Sequence, residues 1–166
     1  MTALGHSPQR NRAMPQNYIE LHFGDGDYLF RLNLIGIQAI QDKCGCGIGA
    51  VWQRLSASRL NYVSGHDVGF ADAATFKVED IIEPIRQGLI GGASGMVDGV
   101  PVSVTPQSAN RLIQTYVIER PLSESWAIAF AVMSALIEGY DPPKKKEPRK
   151  PRAAKAMTDV STTPVP

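Results

Sequence analysis

Strand-like alternation around a Gly/Asp cluster, five later stretches of helical periodicity, and an aperiodic Pro/Lys-rich end together predict an α+β fold. The expected architecture is an N-terminal β-hairpin packed on a mainly α-helical domain, with a disordered basic C-terminal tail. The 166 residues, 43% apolar and 20% charged, are enough for one soluble domain with a real core and too few for two. The expected division is a flexible leader over 1–17, a single α+β domain over 18–140 and a tail over 141–166.

Ile19, Leu21 and Phe23 alternate with Glu20 and His22, and Tyr28, Phe30 and Leu32 alternate with Leu29 and Arg31. Between them Gly24-Asp25-Gly26-Asp27 supplies residues that tolerate positive φ, so the two runs read as a hairpin. At Leu34 the period changes to that of a helix, with Leu34, Ile37 and Ile40 on one face, continued by Gln41 or Cys44, Asn33 as N-cap and Gly45 as stop. Ile48, Val51, Trp52 and Leu55 then repeat at i, i+3, i+4 and i+7, the spacing of a second amphipathic helix.

Residues Arg59 to Phe76 show no period and read as an irregular connection. A third helix follows from Val78 through Ile81, Ile82, Ile85 and Leu89, with Glu79, Asp80 and Glu83 in its first turns, where the helix dipole favours anions. Pro84 inside this run implies a kink or a later start. The Gly-rich stretch from Gly91 to Val104, with the turn pair Asp98-Gly99, reads as a loop or loose hairpin. Thr105-Pro106 opens a fourth helix, with Ala109, Leu112, Ile113, Tyr116 and Val117 as its face. Pro121 ends it. Ser123 can cap a fifth helix over Glu124 to Glu138, the most apolar in the chain, and Gly139 suits its C-terminal turn.

Composition excludes several classes. Cys44 and Cys46 are the only cysteines, and a Cys-x-Cys pair is badly placed for a bridge, so a disulfide scaffold is out and a reducing cytoplasm fits. The leader lacks the apolar segment of a secretion signal, and the longest apolar stretch, Trp126 to Ile137, is too short for a bilayer that needs about 20 residues. The net charge of +1 is unevenly spread. Residues 18–140 hold eight Lys/Arg against thirteen acids, whereas 141–166 hold seven against three. An acidic domain with a basic appendage disfavours a general nucleic-acid binder.

The candidate chemistry is sparse. His6, His22 and His66 have no ligand-like spacing to one another or to cysteines, and Cys44-Gly45-Cys46 reads as the small-residue end of a helix rather than a metal site. Gly45-x-Gly47-x-x-Ala50 formally matches a dinucleotide fingerprint, but that loop must link a strand to a helix, and here a helical pattern precedes it. Ser94 lacks one glycine of a nucleophile elbow. The paired acids Glu79/Glu83 and Asp80/Glu83 read as solvated helix surface. The expectation is therefore a non-enzymatic protein without metal or cofactor.

The order of elements carries more than any single residue: Asn11-Arg12, the hairpin Ile19-Glu-Leu-His-Phe to Asp-Gly-Asp-Tyr-Leu-Phe-Arg-Leu32, the helix Leu34 to Gly45, Ile48-Gly-Ala-Val-Trp-Gln-Arg-Leu55, Val78-Glu-Asp-Ile-Ile to Gly92, and a closing helix pair. This arrangement, over about Asn11 to Gly139, resembles the tail assembly chaperone family of gene transfer agents and long-tailed phages. It departs in its longer connections after Arg59 and Gly91 and in Pro84. The resemblance implies a non-catalytic assembly factor of the host cytoplasm. Such a factor coats the tape measure protein, self-associates along it, gives way to tail tube subunits and is absent from the finished particle.

Coating a long client requires many copies, each with a modest apolar surface. Trp52, Leu55, Trp126, Phe130 and Met133 are the candidates for client contact or self-contact, because aromatic and Met side chains offer large, adaptable contact area, and core packing is the alternative reading of each one. Lys144, Lys145 and Lys146, at the junction of domain and tail, are a second candidate contact. The resemblance also makes that run a possible place for a programmed frameshift, beside its plainer reading as a solvated junction. Two other classes stay open: a structural tail protein such as a tube or connector subunit, which one hairpin among five helices argues against, and a small nucleic-acid-binding module using the basic tail.

Overall fold

The computed structural model describes residues 15–58, 60–63, 66–70 and 75–142, and its fold is α+β. In chain order the elements are β1 (Tyr18–Phe23), β2 (Gly26–Arg31), α1 (Leu34–Cys44), α2 (Ile48–Ala57), β3 (Leu60–Val63), β4 (His66–Phe70), α3 (Val78–Gly92), β5 (Ser94–Val97), β6 (Val100–Ser103), α4 (Pro106–Ile113), a π-helical turn (Gln114–Ile118) and α5 (Leu122–Ile137). The tail from 143, with Lys144, Lys145 and Lys146, and the leader up to 14 lie outside the described residues. Gln16 and Tyr140 exchange two backbone hydrogen bonds, of 3.0 and 2.7 Å, which tie the chain leading into β1 to the chain leaving α5.

The first hairpin turns through Gly24, at φ +66°, and Asp25, with Phe23 opposite Gly26. A positive φ at the first turn residue alone is the type II′ geometry that matches strand twist. The Asp25 carboxylate accepts the Tyr28 hydroxyl at 2.7 Å and steadies the turn. Ile19, Phe23, Tyr28 and Phe30 point inward, while Glu20, His22, Asp27 and Arg31 face solvent.

The Gly-rich stretch after α3 takes the hairpin form of the two expected, and a tight one. Asp98 and Gly99 both take positive φ, 50° and 76°, as a type I′ turn requires. Its first strand, β5, pairs antiparallel with β2, making a four-stranded sheet in the order β1-β2-β5-β6. The segment expected to be irregular after Arg59 contains a second sheet, β3 paired antiparallel with β4, whose register shifts between Leu60 and Tyr62. That shift breaks the alternation on which a strand reading depends.

Helix ends follow local chemistry. The Asn33 side chain accepts from the Gly36 N–H at 2.8 Å, Gly45 closes α1 at φ +66°, and Thr105 exchanges hydrogen bonds with Ser108 ahead of Pro106. Three expectations are corrected. In α1 the expected Ile40 and Cys44 are buried, joined by Gly36, but Leu34 and the neighbouring Ile35 are exposed. Pro84 does not delay α3, which starts at Val78 and runs through it, with Pro84 buried in tertiary packing. Finally, α5 starts at Leu122 with Pro121 at its N-cap and no side-chain cap, so Ser123 lies inside the helix.

Helix α3 is the hub, in contact with β2, α1, α2, α4 and α5. Ile81, Ile85 and Leu89 are fully buried against Phe30 of the sheet and against Val132 and Met133 of α5 in one apolar cluster. Its C-terminal half approaches β2 so closely that a Cβ on Gly92 would overlap the Leu29 carbonyl oxygen and one on Gly91 the Arg31 carbonyl oxygen. Only glycine allows a helix to lie directly on strand backbone here. The replacement Gly92→Ala is expected to destabilise the fold by about 1–3 kcal/mol through overpacking, read as a lower urea midpoint with an unchanged slope. An unchanged midpoint would refute this close approach.

Candidate partner-binding surface

Of the five predicted apolar site residues, the fold separates two kinds. Leu55 and Met133 are fully enclosed and Trp126 is 5% exposed, so for these three the core reading holds and they offer no contact surface. The reason is that α2 and α5 pack on each other and on α3, so inward positions close over. Trp52 and Phe130 are only half-buried. Phe130 stacks between the two tryptophans, with ring centroids 5.1 Å from Trp52 at 20° and 5.1 Å from Trp126 at 17°. Three aromatic rings thus form a stack across the α2–α5 seam, anchored at Trp126 and partly open at Trp52.

A stack of this kind offers contact area at low entropic cost, because each ring has two rotatable bonds already fixed by its neighbours. Partly buried Cys46, Ile48 and Phe76 also pack against the core. Two exposed aliphatic sites were not singled out from the sequence: Leu34 and Ile35 at the start of α1, 69% and 76% exposed, and Ile118 and Leu122 on either side of the Arg120 turn. Periodicity could not find the first, because Leu34 fits a helical stripe that the packing rotates away from.

Between α2 and the first turn of α3 lies a polar centre. Arg54 of α2 donates from Nε and Nη2 to the two oxygens of Asp80 in α3, at 2.7 and 2.6 Å. Nη2 also reaches Cys46 Sγ at 3.1 Å, and the Lys77 backbone N–H donates to Asp80 at 2.8 Å. Asp80 has no exposed side-chain surface, while Arg54 keeps 21%. Burial pushes the Asp80 pKa upward, but the Arg54 hydrogen bonds, the Lys77 N–H and the Arg54 charge outweigh it, and the carboxyl lies below its ordinary range. The hydrogen bonds to Asp80, and after them the one to Cys46, hold the Arg54 guanidinium more firmly charged.

Burial, followed by the neighbouring Asp80 carboxylate, pushes the Cys44 thiol up to about 12, so it stays protonated and is a poor nucleophile. Asp80 and Glu83 are therefore corrected from solvated surface to buried, partnered groups; Glu83 pairs with Arg86 one turn on, and Glu79 alone stays in solvent. Among the described residues no three His, Cys, Asp or Glu side chains gather as metal ligands, and no helix is long and apolar enough to cross a membrane.

The chain matches no protein-family model, no curated protein and no solved structure.

Loss of one partner from the buried pair strands the other charge. Asp80→Ala is expected to lower unfolding free energy by about 3–5 kcal/mol at neutral pH, measured by urea denaturation. In the intact chain, Asp80 contributes stability above its unfolded pKa near 3.8 that is lost as pH falls, because the unfolded chain takes up the proton first. Cys44 acts at the other end: its stabilisation is full below about pH 9 and fades toward 12, because only the unfolded thiol ionises there. A flat stability profile on both limbs would contradict these assignments.

Proposed function

We propose that this chain is a tail assembly chaperone that binds and coats a tape measure protein without catalysing a reaction. The observation that supports it most is the partly open aromatic stack of Trp52, Phe130 and Trp126 on a small α+β scaffold. The order of hairpin, paired helices, Val-Glu-Asp-Ile helix and closing helices is in keeping with the resemblance read from the sequence. In this reading Trp52 and Phe130 contact the client, and Trp126, Leu55 and Met133 support them from below. Binding is weak at each copy and strengthens along the client as copies accumulate. The client surface would be an apolar helical stripe laid against the two open rings.

A structural tail subunit is the second reading, favoured by one observation: β5 and β6 extend the first hairpin into a four-stranded sheet, and β3 and β4 form another. The two readings differ in where the protein ends up, since a chaperone leaves the particle and a subunit remains. The deciding experiment is co-expression with the tape measure protein. The expected outcome is transfer of the client from pellet to supernatant in a complex with several copies of this chain. Trp52→Ser combined with Phe130→Ser should retain the circular dichroism of the fold and lose most of this rescue. A folded wild-type chain that leaves the client insoluble would defeat the proposal.

A further inference from the structure

The four-stranded sheet has two outer strands, β1 and β6, and their turns fix which backbone groups face outward. The residues flanking a two-residue turn exchange hydrogen bonds, and bonded and non-bonded pairs alternate from there. Counting from Phe23–Gly26, residues Phe23, Leu21 and Ile19 bond β2, so Tyr18, Glu20 and His22 turn their N–H and C=O groups away from the sheet. Counting from Val97–Val100, residues Pro101 and Ser103 face outward from β6. The β6 edge is thus guarded: it is four residues long, and Pro101 has no N–H to offer at an outward position.

Among the described residues, strand β1 has no such guard. It is six residues long and contains neither Pro, Lys nor Arg. The Gln16–Tyr140 bridge occupies only the chain leading into it. The five consecutive residues from Tyr18 to His22 border one hollow of about 400 Å³, which Asp27 of β2, Tyr140 and Pro142 also line. Successive side chains of a strand point to opposite faces, so a consecutive run can share one space only along the strand's edge.

We propose that this edge pairs with the β1 edge of a second copy of the chain, antiparallel, about a two-fold axis at Leu21. Pairing must keep inward residues opposite inward ones, which leaves three central registers within the strand. Centring on Glu20 sets the two Glu20 carboxylates against each other. Centring on His22 opposes two imidazoles and runs Glu20 into the Gly24 turn. Centring on Leu21 sets Glu20 opposite His22 of the second copy, twice, with Leu21 on Leu21 and Ile19 on Phe23 along the inward face.

Only this last register avoids opposing like side chains, and it sets each Glu20 carboxylate against an imidazole able to donate to it; it also makes Glu20 and His22 the pairs whose backbone groups are free to bond. His22 already meets Asp27 across its own hairpin at 3.0 Å, so each imidazole would lie in a row between two carboxylates. The pairing is isologous and closes at two copies on this edge. It is independent of the client reading above.

The test is sedimentation equilibrium of the full chain over a concentration series, with Glu20→Lys and His22→Glu as variants. Both positions are solvent-facing, so the core is unaffected. The wild type should dimerise, and each variant alone should raise the dissociation constant about tenfold through two disfavoured cross-strand pairs. An equal mixture of the two variants should recover dimer, because the introduced lysine then faces the introduced glutamate. A wild type that stays monomeric, a dimer indifferent to both substitutions, or a mixture that fails to recover would each overturn the proposal.

Discussion

The contact between Arg54 and Asp80 is the constraint around which the helical part is arranged. It joins α2 to the first turn of α3, and through Cys46 it also grips the turn that follows α1. The chain leaves this point after α2, passes through β3 and β4, and returns to it at Lys77, whose N–H binds the same carboxylate. Val51 and Leu55 bury only one stripe of the ten-residue α2. A charge with two-pronged geometry fixes the rotation and height of that helix in a way that apolar contact alone does not. A buried pair of this kind adds little net stability over a well-packed apolar substitute, but it is unforgiving once one partner is lost.

With α2 set against α3, the aromatic stack follows. Trp52 lies next to Val51 and one turn before Leu55, so the geometry that buries Leu55 leaves Trp52 at the rim, where Phe130 of α5 can stack on it. On its opposite side α3 is fixed to the sheet by glycines, because Gly88 meets Phe30 and Val132 while Gly91 and Gly92 lie on the backbone of β2. The hub helix is therefore held by charge near its start and by close backbone approach near its end. The candidate surface inherits its shape from the first of these, and the open edge of the sheet lies in the part organised by the second.

Much of this was legible in the sequence where the determinants are local. The first hairpin declares itself through alternation on both sides of Gly24-Asp25, and Asn33, Gly45 and Thr105-Pro106 mark helix ends because each satisfies or redirects backbone groups within a few residues. What escaped depends on partners distant in the chain. Asp80 looks like an ordinary first-turn acid until one sees that it shares a stripe with Pro84 and Gly88 and that Arg54 waits 26 positions earlier. The joining of β5 to β2 has no local signature, and the register shift in β3 hides the second sheet. Likewise the helical period identifies Trp52, Leu55, Trp126, Phe130 and Met133 as apolar positions, but which of them close over is decided by the crossing of α2, α3 and α5.

The most direct test of the account is a double-mutant cycle on Arg54→Met and Asp80→Asn, with unfolding free energies from urea titration at neutral pH. The account predicts that the two losses are strongly non-additive, with a coupling of about 2 kcal/mol or more, because either substitution alone strands a buried group of the other. Additive losses with coupling near zero would contradict it, showing that the two side chains meet without organising the helices around them.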